Sequence, residues 1–335
     1  MKTTERPAKL LRCLSFYLLP FAFSLGIGGA LAQPYPSKPI RLIVPLAPGG
    51  GNDTTARLIG ARLADSLGQQ VIVENRPGAG SVIASDIVSK APADGYTLYL
   101  VSTSFTAAPA LVKKLPFDPL NDFTHVTRLA VVPGALIVHA SLPVRSVKEY
   151  IALANARPGE ITFGSAGIGS GSHIGGELFK IHAGVPITHV PYKGSALVTN
   201  SLLSGEVTSA FTNPISSMPY VKAGRIRNLG LTSAERWPLL PDYPTLAESG
   251  VKGYELLIWN GMSVRTGTPP AIVAQLHEHL LKAASVPEVV THMARSGARP
   301  MVQQPNEFDA FVRNEIAKLH RVAKAAGLGV YAGSK

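Results

Sequence analysis

The chain has 335 residues and a net charge of +11, from 32 Lys and Arg against 21 Asp and Glu, with a single cysteine. That length accommodates two domains of ordinary size. The basic residues are scattered rather than gathered into a block, which argues against a nucleic-acid partner, and one cysteine excludes an internal disulfide framework.

The first segment reads as a leader. Lys2, Arg6, Lys9 and Arg12 form a basic start, an apolar stretch follows from Cys13 to Ala32, and Ala30-Leu31-Ala32 has the small-x-small form of a cleavage site. Pro20 and the glycines at 26, 28 and 29 make the stretch a poor membrane anchor. Cys13 opens the apolar stretch instead of closing a short one, which argues against a lipoprotein anchor. We therefore expect an exported, periplasmic protein, cleaved near Ala32 and starting at Gln33. Losing four bases and one acid with the leader lowers the charge from +11 to +8. A mild positive field of that kind suits an anionic small ligand.

Short β-rich runs then alternate with amphipathic helical stretches, the mark of an α/β fold with largely parallel sheets. The run Ile40–Val44 leads into Ala47-Pro48-Gly49-Gly50-Gly51-Asn52-Asp53. Asp53 is the expected N-cap of a helix carrying Ala56, Ile59, Leu63 and Leu67, which Gly68 ends. Val71–Glu74 is the next strand, Ala79-Gly80-Ser81 opens a helix with Ile83, Ile87 and Val88 on its apolar face, and Tyr96–Val101 is the third strand. The second half repeats the plan. Ile161–Phe163 precedes Ser165-Ala166-Gly167-Ile168-Gly169-Ser170-Gly171-Ser172 and a helix with Ile174, Leu178 and Ile181. Ile187–Val190, a helix with Val198, Leu202 and Leu203 stopping near Gly205, and Val207–Phe211 complete it. Helices are expected after Pro269-Pro270, Pro287 and Pro305, packed back on the first domain. Strand-like crossings near Leu129–Val138 and Tyr254–Val264 would supply a hinge.

Each glycine loop follows a strand and opens a helix. Glycines let backbone N–H groups approach a ligand, and a helix N-terminus carries partial positive charge, so each loop is a candidate anion site. Two facing loops would form a clamp. A dinucleotide site does not fit, because the G-x-G-x-x-G spacing is absent and no acid follows His189-Val190-Pro191 to hold a ribose. No G-K-[ST] follows the glycines, and no G-x-S-x-G occurs, which argues against a phosphate loop and a hydrolase elbow. The nine histidines show no metal-ligand spacing, and His277 and His279 point to different faces of one helix. His173, in the first turn after the second loop, is a candidate pocket residue. Ser102-Thr103-Ser104 and Asn213 stand at equivalent strand ends, where open α/β sheets gather ligands, although caps and turns use the same residue types. Tyr192 could put a donor on the cleft rim; Lys193 reads as a solvated charge.

Together the motifs resemble a known family. Pro48-Gly49-Gly50-Gly51-Asn52-Asp53 with Arg57 is similar to its P-G-G-x-x-D…R, and Glu74-Asn75-Arg76-Pro77-Gly78-Ala79-Gly80 and Asp94-Gly95-Tyr96-Thr97-Leu98 resemble E-N-R-P-G-A-G and D-G-Y-T-L. Leu115-Pro116-Phe117-Asp118-Pro119, the Ser165–Ser170 loop with His173, His189-Val190-Pro191-Tyr192-Lys193-Gly194, Leu240-Pro241-Asp242-Tyr243-Pro244-Thr245 and Gly267-Thr268-Pro269 also match in order. The chain thus resembles the Bug (TctC-type) receptors, the periplasmic solute-binding proteins of tripartite tricarboxylate transporters. The resemblance implies a two-lobed α/β periplasmic binding protein, type II-like, of Venus-flytrap form with hinge strands. With the crossings above, lobe 1 would comprise 33–133 plus 257–335 and lobe 2 134–256. It implies a monomer with no catalysis, metal or cofactor, and a ligand carboxylate held by Pro48–Asp53 and Ala166–Ser170 through backbone groups and waters. Partners would be membrane transporter subunits or, in a second reading, the periplasmic domain of a signalling receptor. One departure stands out: Phe211-Thr212-Asn213 replaces F-D-N, removing a possible partner for a ligand ammonium group and favouring a plain carboxylate over an amino acid.

Overall fold

The structure, a computed structural model, describes residues 35–49 and 51–331. The expected leader, its cleavage point and Gly50 lie outside the described residues. The first half runs β1 (Ile40–Val44), α1 (Gly51–Leu67), β2 (Val71–Asn75), α2 (Val82–Ser89), β3 (Thr97–Ser102), α3 (Thr103–Leu111) and β4 (Phe123–Pro133). After Gly134 come β5 (Ala135–His139), α4 (Val147–Ala156), β6 (Thr162–Ser165), α5 (Gly171–Ala183), β7 (Thr188–Pro191), α6 (Ser195–Ser204), β8 (Ser209–Thr212), α7 (Pro214–Lys222) and β9 (Ile226–Leu231). The chain returns through β10 (Leu257–Arg265), α8 (Pro270–Ser285), α9 (Pro287–Arg295), β11 (Arg299–Pro300) and α10 (Pro305–Ala326).

These strands form two sheets, one ordered β11-β4-β10-β3-β1-β2 and the other β7-β6-β8-β5-β9. In the first, β1 lies parallel between β2 and β3; in the second, β6 lies parallel between β7 and β8. The strand-loop-helix module is therefore used twice with the same spatial order, second-first-third. Antiparallel β10 closes onto β3 and β4, and antiparallel β5 onto β8 and β9. Strand β1 reads as a nearly unbroken apolar run because both its faces are covered: Ile40, Leu42, Ile43 and Val44 are buried.

The helical patterns hold where the small residues allow it. Ala56, Ile59 and Leu63 bury one face of α1, and Gly68 ends it with a positive φ of 66°. On α2 the buried stripe is Ala84, Ser85, Val88 and Ser89, so Ile83, expected inside, is exposed. The small residues bring the helix close to the sheet, and Ile83 instead lies against the Gly78 turn. Ile181 on α5 is exposed for a similar reason, at the outer edge of a face filled by Ile174, Leu178 and Phe179.

The C-terminal helices depart from expectation at one point. Helix α8 packs on α1 and β4, as expected of a tail covering the first sheet. Helix α10, at 22 residues, is about 33 Å long and outruns that sheet. Phe308, Val312 and Ile316 bury beside Trp259 and Phe105, whereas Leu319 and Val322 join the core of the second sheet with Leu178, Phe179 and Tyr254.

The two passages between the sheets are stitched together by Thr232. Its N–H donates to the Gly134 carbonyl at 2.9 Å, and its hydroxyl accepts from the Gly134 N–H at 2.7 Å. The same hydroxyl donates to the Leu256 carbonyl at 2.7 Å, while the Leu256 N–H donates to the Thr232 carbonyl, also at 2.7 Å. Gly134 must be small here, since a Cβ would lie 3.3 Å from both branches of the threonine. All of this is buried. Thr232→Val keeps the shape but leaves a buried N–H and a buried carbonyl without partners. It should lower unfolding stability by about 2–6 kcal/mol, taking roughly 1–3 kcal/mol per orphaned group. Urea midpoints at constant m-value measure this; a change below about 0.5 kcal/mol would refute it.

Candidate functional site

The candidate site residues that the structure describes lie at the carboxyl ends of the parallel strands, where an open α/β sheet leaves a crevice. The first glycine loop, after β1, is open: Pro48 and Gly49 are exposed, and a Cβ on Gly49 or Gly51 would meet nothing within 4 Å. Asp53 is not the N-cap, because α1 already begins at Gly51. Instead its buried carboxylate folds back beneath the loop. One oxygen accepts from the Gly49 N–H at 2.9 Å and from Arg57 Nε at 3.1 Å, and the other pairs with Arg57 Nη2 at 3.0 Å. Arg57 also donates to Asn75 Oδ1, whose amide nitrogen donates to the Leu46 carbonyl. Burial works to raise the Asp53 pKa, but the hydrogen bonds from Arg57 and Gly49 outweigh it and hold the carboxyl below its ordinary value. Asp53 thus shapes this loop and neutralises its nearest cation.

The turn after β2 was not among the sequence-derived site residues, yet it is the most strained backbone in the described chain. Gly78, Ala79, Gly80 and Ser81 carry φ values of 136°, 47°, 61° and 81° in succession. For Ala79 and Ser81 that conformation costs energy, of order 1–3 kcal/mol each, so surrounding contacts must hold it. Ser85 donates its hydroxyl to the Ser81 carbonyl at 3.0 Å, and the Ser81 and Ser104 hydroxyls are hydrogen-bonded. A Cβ on Gly80 would sit 3.6 Å from the Ile168 carbonyl of the second glycine loop. Among the described residues it is therefore Gly80, rather than Gly49 or Gly51 of the first glycine loop, that meets the second loop at contact distance. The G-A-G spelling was the available signal; its left-handed run was not readable from residue types alone.

Ser102, Thr103 and Ser104 are buried where β3 passes into α3, a helix the sequence reading did not anticipate. Their hydroxyls are already engaged: Ser102 with Ser104 at 2.9 Å, and Thr103 accepting from the Trp259 N–H at 3.3 Å.

The second loop is tied down by its own side chains. Ala166 N–H donates to Ser172 Oγ at 2.9 Å, Gly167 N–H to Ser165 Oγ at 3.2 Å, and Gly169 N–H to His173 Nδ1 at 3.2 Å. Ser170 N–H donates to the Gly167 carbonyl, and Ser170 Oγ caps α5 by accepting from the His173 N–H. Ile168, which is 62% exposed, presents an N–H without a hydrogen bond to the described residues, as do Gly171 and Ser172 in the first turn of α5. Beneath the loop the buried His173 ring lies 4.3 Å from that of His189, whose Nε2 shares a 2.6 Å hydrogen bond with Ser165 Oγ. Tyr192, after β7, holds the loop's base through its N–H to the Ser165 carbonyl, and its hydroxyl donates to Glu206. Asn213 has the capping role: its Oδ1 accepts from the N–H groups of Ile215 and Ser216, and its Nδ2 donates to the Ser296 carbonyl at 2.9 Å. Among the described residues no three His, Cys, Asp or Glu side chains cluster to hold a metal ion.

Burial, followed by the charges of His189 and Lys180, pushes the His173 pKa down to about 3; burial and then Lys180 push His189 down to about 4. Both groups fold in the neutral form while the unfolded chain protonates them near 6.5. Their contribution to stability is therefore complete above pH 6.5 and declines as pH falls towards 4. Asp53 and Glu74, with depressed carboxyl pKa values, lose theirs only below the ordinary carboxylate range. Urea midpoints between pH 7 and 5 should fall with acidification, and His173→Asn should flatten the slope; an equal slope in both proteins would refute this.

The model of the tripartite tricarboxylate transporter family receptor (TctC) matches residues 55–328. The protein BugT of Bordetella pertussis is 36% identical over 310 residues, covering 92% of this chain and 95% of BugT. Among solved structures, an R. palustris protein with adipate superposes with a TM-score of 0.81 at 40% identity, covering 88% of this chain and 99% of that one. MatC of Rhodopseudomonas palustris, with bound malate, superposes with a TM-score of 0.78 at 30% identity, covering 86% and 100%. The chain belongs to the TctC family of tripartite tricarboxylate transporter receptors, a family of two-lobed α/β solute-binding proteins rather than enzymes.

Proposed function

We propose that this protein is a periplasmic receptor that captures a small carboxylate between its lobes and hands it to membrane subunits of a tripartite-type transporter. The observation that carries the reading is the meeting of two loops from different sheets, Gly80 against Ile168 and Gly169, at the mouth of two sets of parallel strand ends. Adipate and malate in the two related structures support a carboxylate as the ligand. In this reading lobe 1 comprises 33–133 and 257–335, lobe 2 comprises 134–256, and the leader is removed near Ala32. Closure pivots on the passages at Gly134 and Leu256, pinned through Thr232.

The ligand is held chiefly by neutral donors. Arg57 is neutralised by Asp53 and is not a free counter-ion at the loops, while Arg76 shares the single carboxylate of Glu74 with Arg41. Charge-assisted N–H bonds, with that of Ile168 foremost, and ordered waters offset the cost of desolvating the carboxylate. Ligand contact with both lobes favours the closed form, because only differential affinity shifts the population.

Native mass spectrometry of protein purified without denaturation should reveal a retained carboxylate. Thermal shifts should then be larger with di- and monocarboxylates than with aspartate or glutamate, since Thr212 stands where an acid could pair an ammonium group; the reverse order would defeat this preference. Gly169→Val should remove ligand-induced stabilisation, which amounts to roughly 2.7 kcal/mol at about 100 times Kd. The φ at Gly169 is +81°, and a Cβ there would press to 3.3 Å on Leu111. Unchanged ligand affinity in this variant would show that the second loop is not part of the clamp.

A further inference from the structure

The second loop can act as a donor surface only if its shape is held. Gly167 and Gly169 have φ values of 123° and 81°, so the loop is backbone that few sequences would hold without help. Most of the help is hydroxyl groups that lie within the loop or cap its helix. The exception is the imidazole of His173, one turn into α5, whose Nδ1 accepts from the Gly169 N–H at 3.2 Å. Gly169 is also where the loop faces the other lobe, with Leu111 and Gly80 beside the place a Cβ would occupy.

We infer that His173 is a positioning residue for ligand capture: its unprotonated Nδ1 pins the Gly169 N–H, which sets the second loop in register with the Gly80 turn across the cleft. The inference rests on the proposed ligand site but assigns His173 a task other than touching the ligand. Three features of the surroundings suit that task. The side chain is 98% buried, as its relative exposure is 2%, so solvent does not compete for the bond. Its ring is packed against His189, which is itself stacked on Phe163 with ring centres 4.9 Å apart and is hydrogen-bonded to Ser165. The imidazole is thus held in place from below by β6 and β7, the strands the loop leaves and returns beside. With Nδ1 accepting, the ring proton resides on Nε2. By engaging the Gly169 N–H, His173 fixes the backbone beside Ile168, whose own N–H stays free of a partner among the described residues.

Two substitutions separate the acceptor from the bulk. His173→Asn brings a carboxamide oxygen near the position of Nδ1, whereas His173→Phe keeps a ring and removes the acceptor. In ligand-free protein, amide exchange at Gly169 should accelerate about tenfold in the Phe variant and stay within about threefold of wild type in the Asn variant, as loss of one hydrogen bond implies. Exchange at Phe179, in the core of the same lobe, serves as the control for global stability. Calorimetry with adipate and with malate should show about tenfold weaker binding for the Phe variant and near-native binding for the Asn variant. Equal losses in both variants, or none in either, would overturn the inference. If wild-type protein binds neither acid, it is the carboxylate reading that fails on those probes, and the exchange comparison still decides the role of His173. Nitrogen-15 shifts of the wild-type imidazole give a test independent of any variant: a protonated Nδ1 at neutral pH would refute the inference.

Discussion

The hydroxyl of Thr232 accepts from one passage between the sheets and donates to the other, and the two-lobed arrangement depends on that pair of bonds. A chain that passes twice between two cores must bury backbone groups at both passages, and every one of them needs a partner. One β-branched residue at the end of β9 supplies both partners, and the absent side chain at Gly134 lets it come close enough to do so. The β10 passage gains a second attachment through its Trp259 N–H to Thr103. Helix α10 lies across the boundary with one half in each core. The lobes are thus linked by passages held through Thr232 and by one amphipathic helix whose apolar face is shared between both cores.

The candidate site follows the same economy of partners. The ion pairs near the first loop lie within one lobe, Asp53 with Arg57, and Glu74 shared by Arg41 and Arg76. In the second loop the N–H groups of Ala166, Gly167 and Gly169 are matched by serine or histidine side chains, and in the first that of Gly49 by the Asp53 carboxylate. The loops of the proposed clamp are therefore shaped in part before any ligand arrives. Such a site gains specificity from where the remaining donors stand, not from the strength of a single ion pair.

Much of this was legible in residue types. The 3.6-residue spacing in α1, the prolines opening α8, α9 and α10, and the glycines ending α1 and α6 all act locally, so pattern reading placed these elements within a few residues. The duplicated module was legible because two sets of strand, loop and helix signals recur in one order. Less legible were elements whose stability comes from distant contacts. Helix α3 contains Pro109 and begins inside a hydroxyl run, so nothing local announces it; it is buried between α10 and β10. Asp53, expected as an N-cap, instead lies inside α1 and folds back under the loop, while Asn213 caps α7, one of the two uses its residue type allowed. A carboxylate or amide at a loop end reads equally as a ligand group or as a cap, and only the neighbouring N–H positions decide.

The sequence by itself determined the α/β class, the two glycine loops, their place after strands and before helices, and the family, because these rest on short-range periodicity and on motifs fixed in order. The tertiary structure alone decided which loop meets which, that four successive left-handed residues form the turn opposite the second loop, and that Thr232 and His173 serve as pin and prop. Those are facts about atoms brought together from positions 80 and 168, or 134, 232 and 256, along the chain. Their hydrogen bonds exist only once two separate cores have formed and set the passages between them.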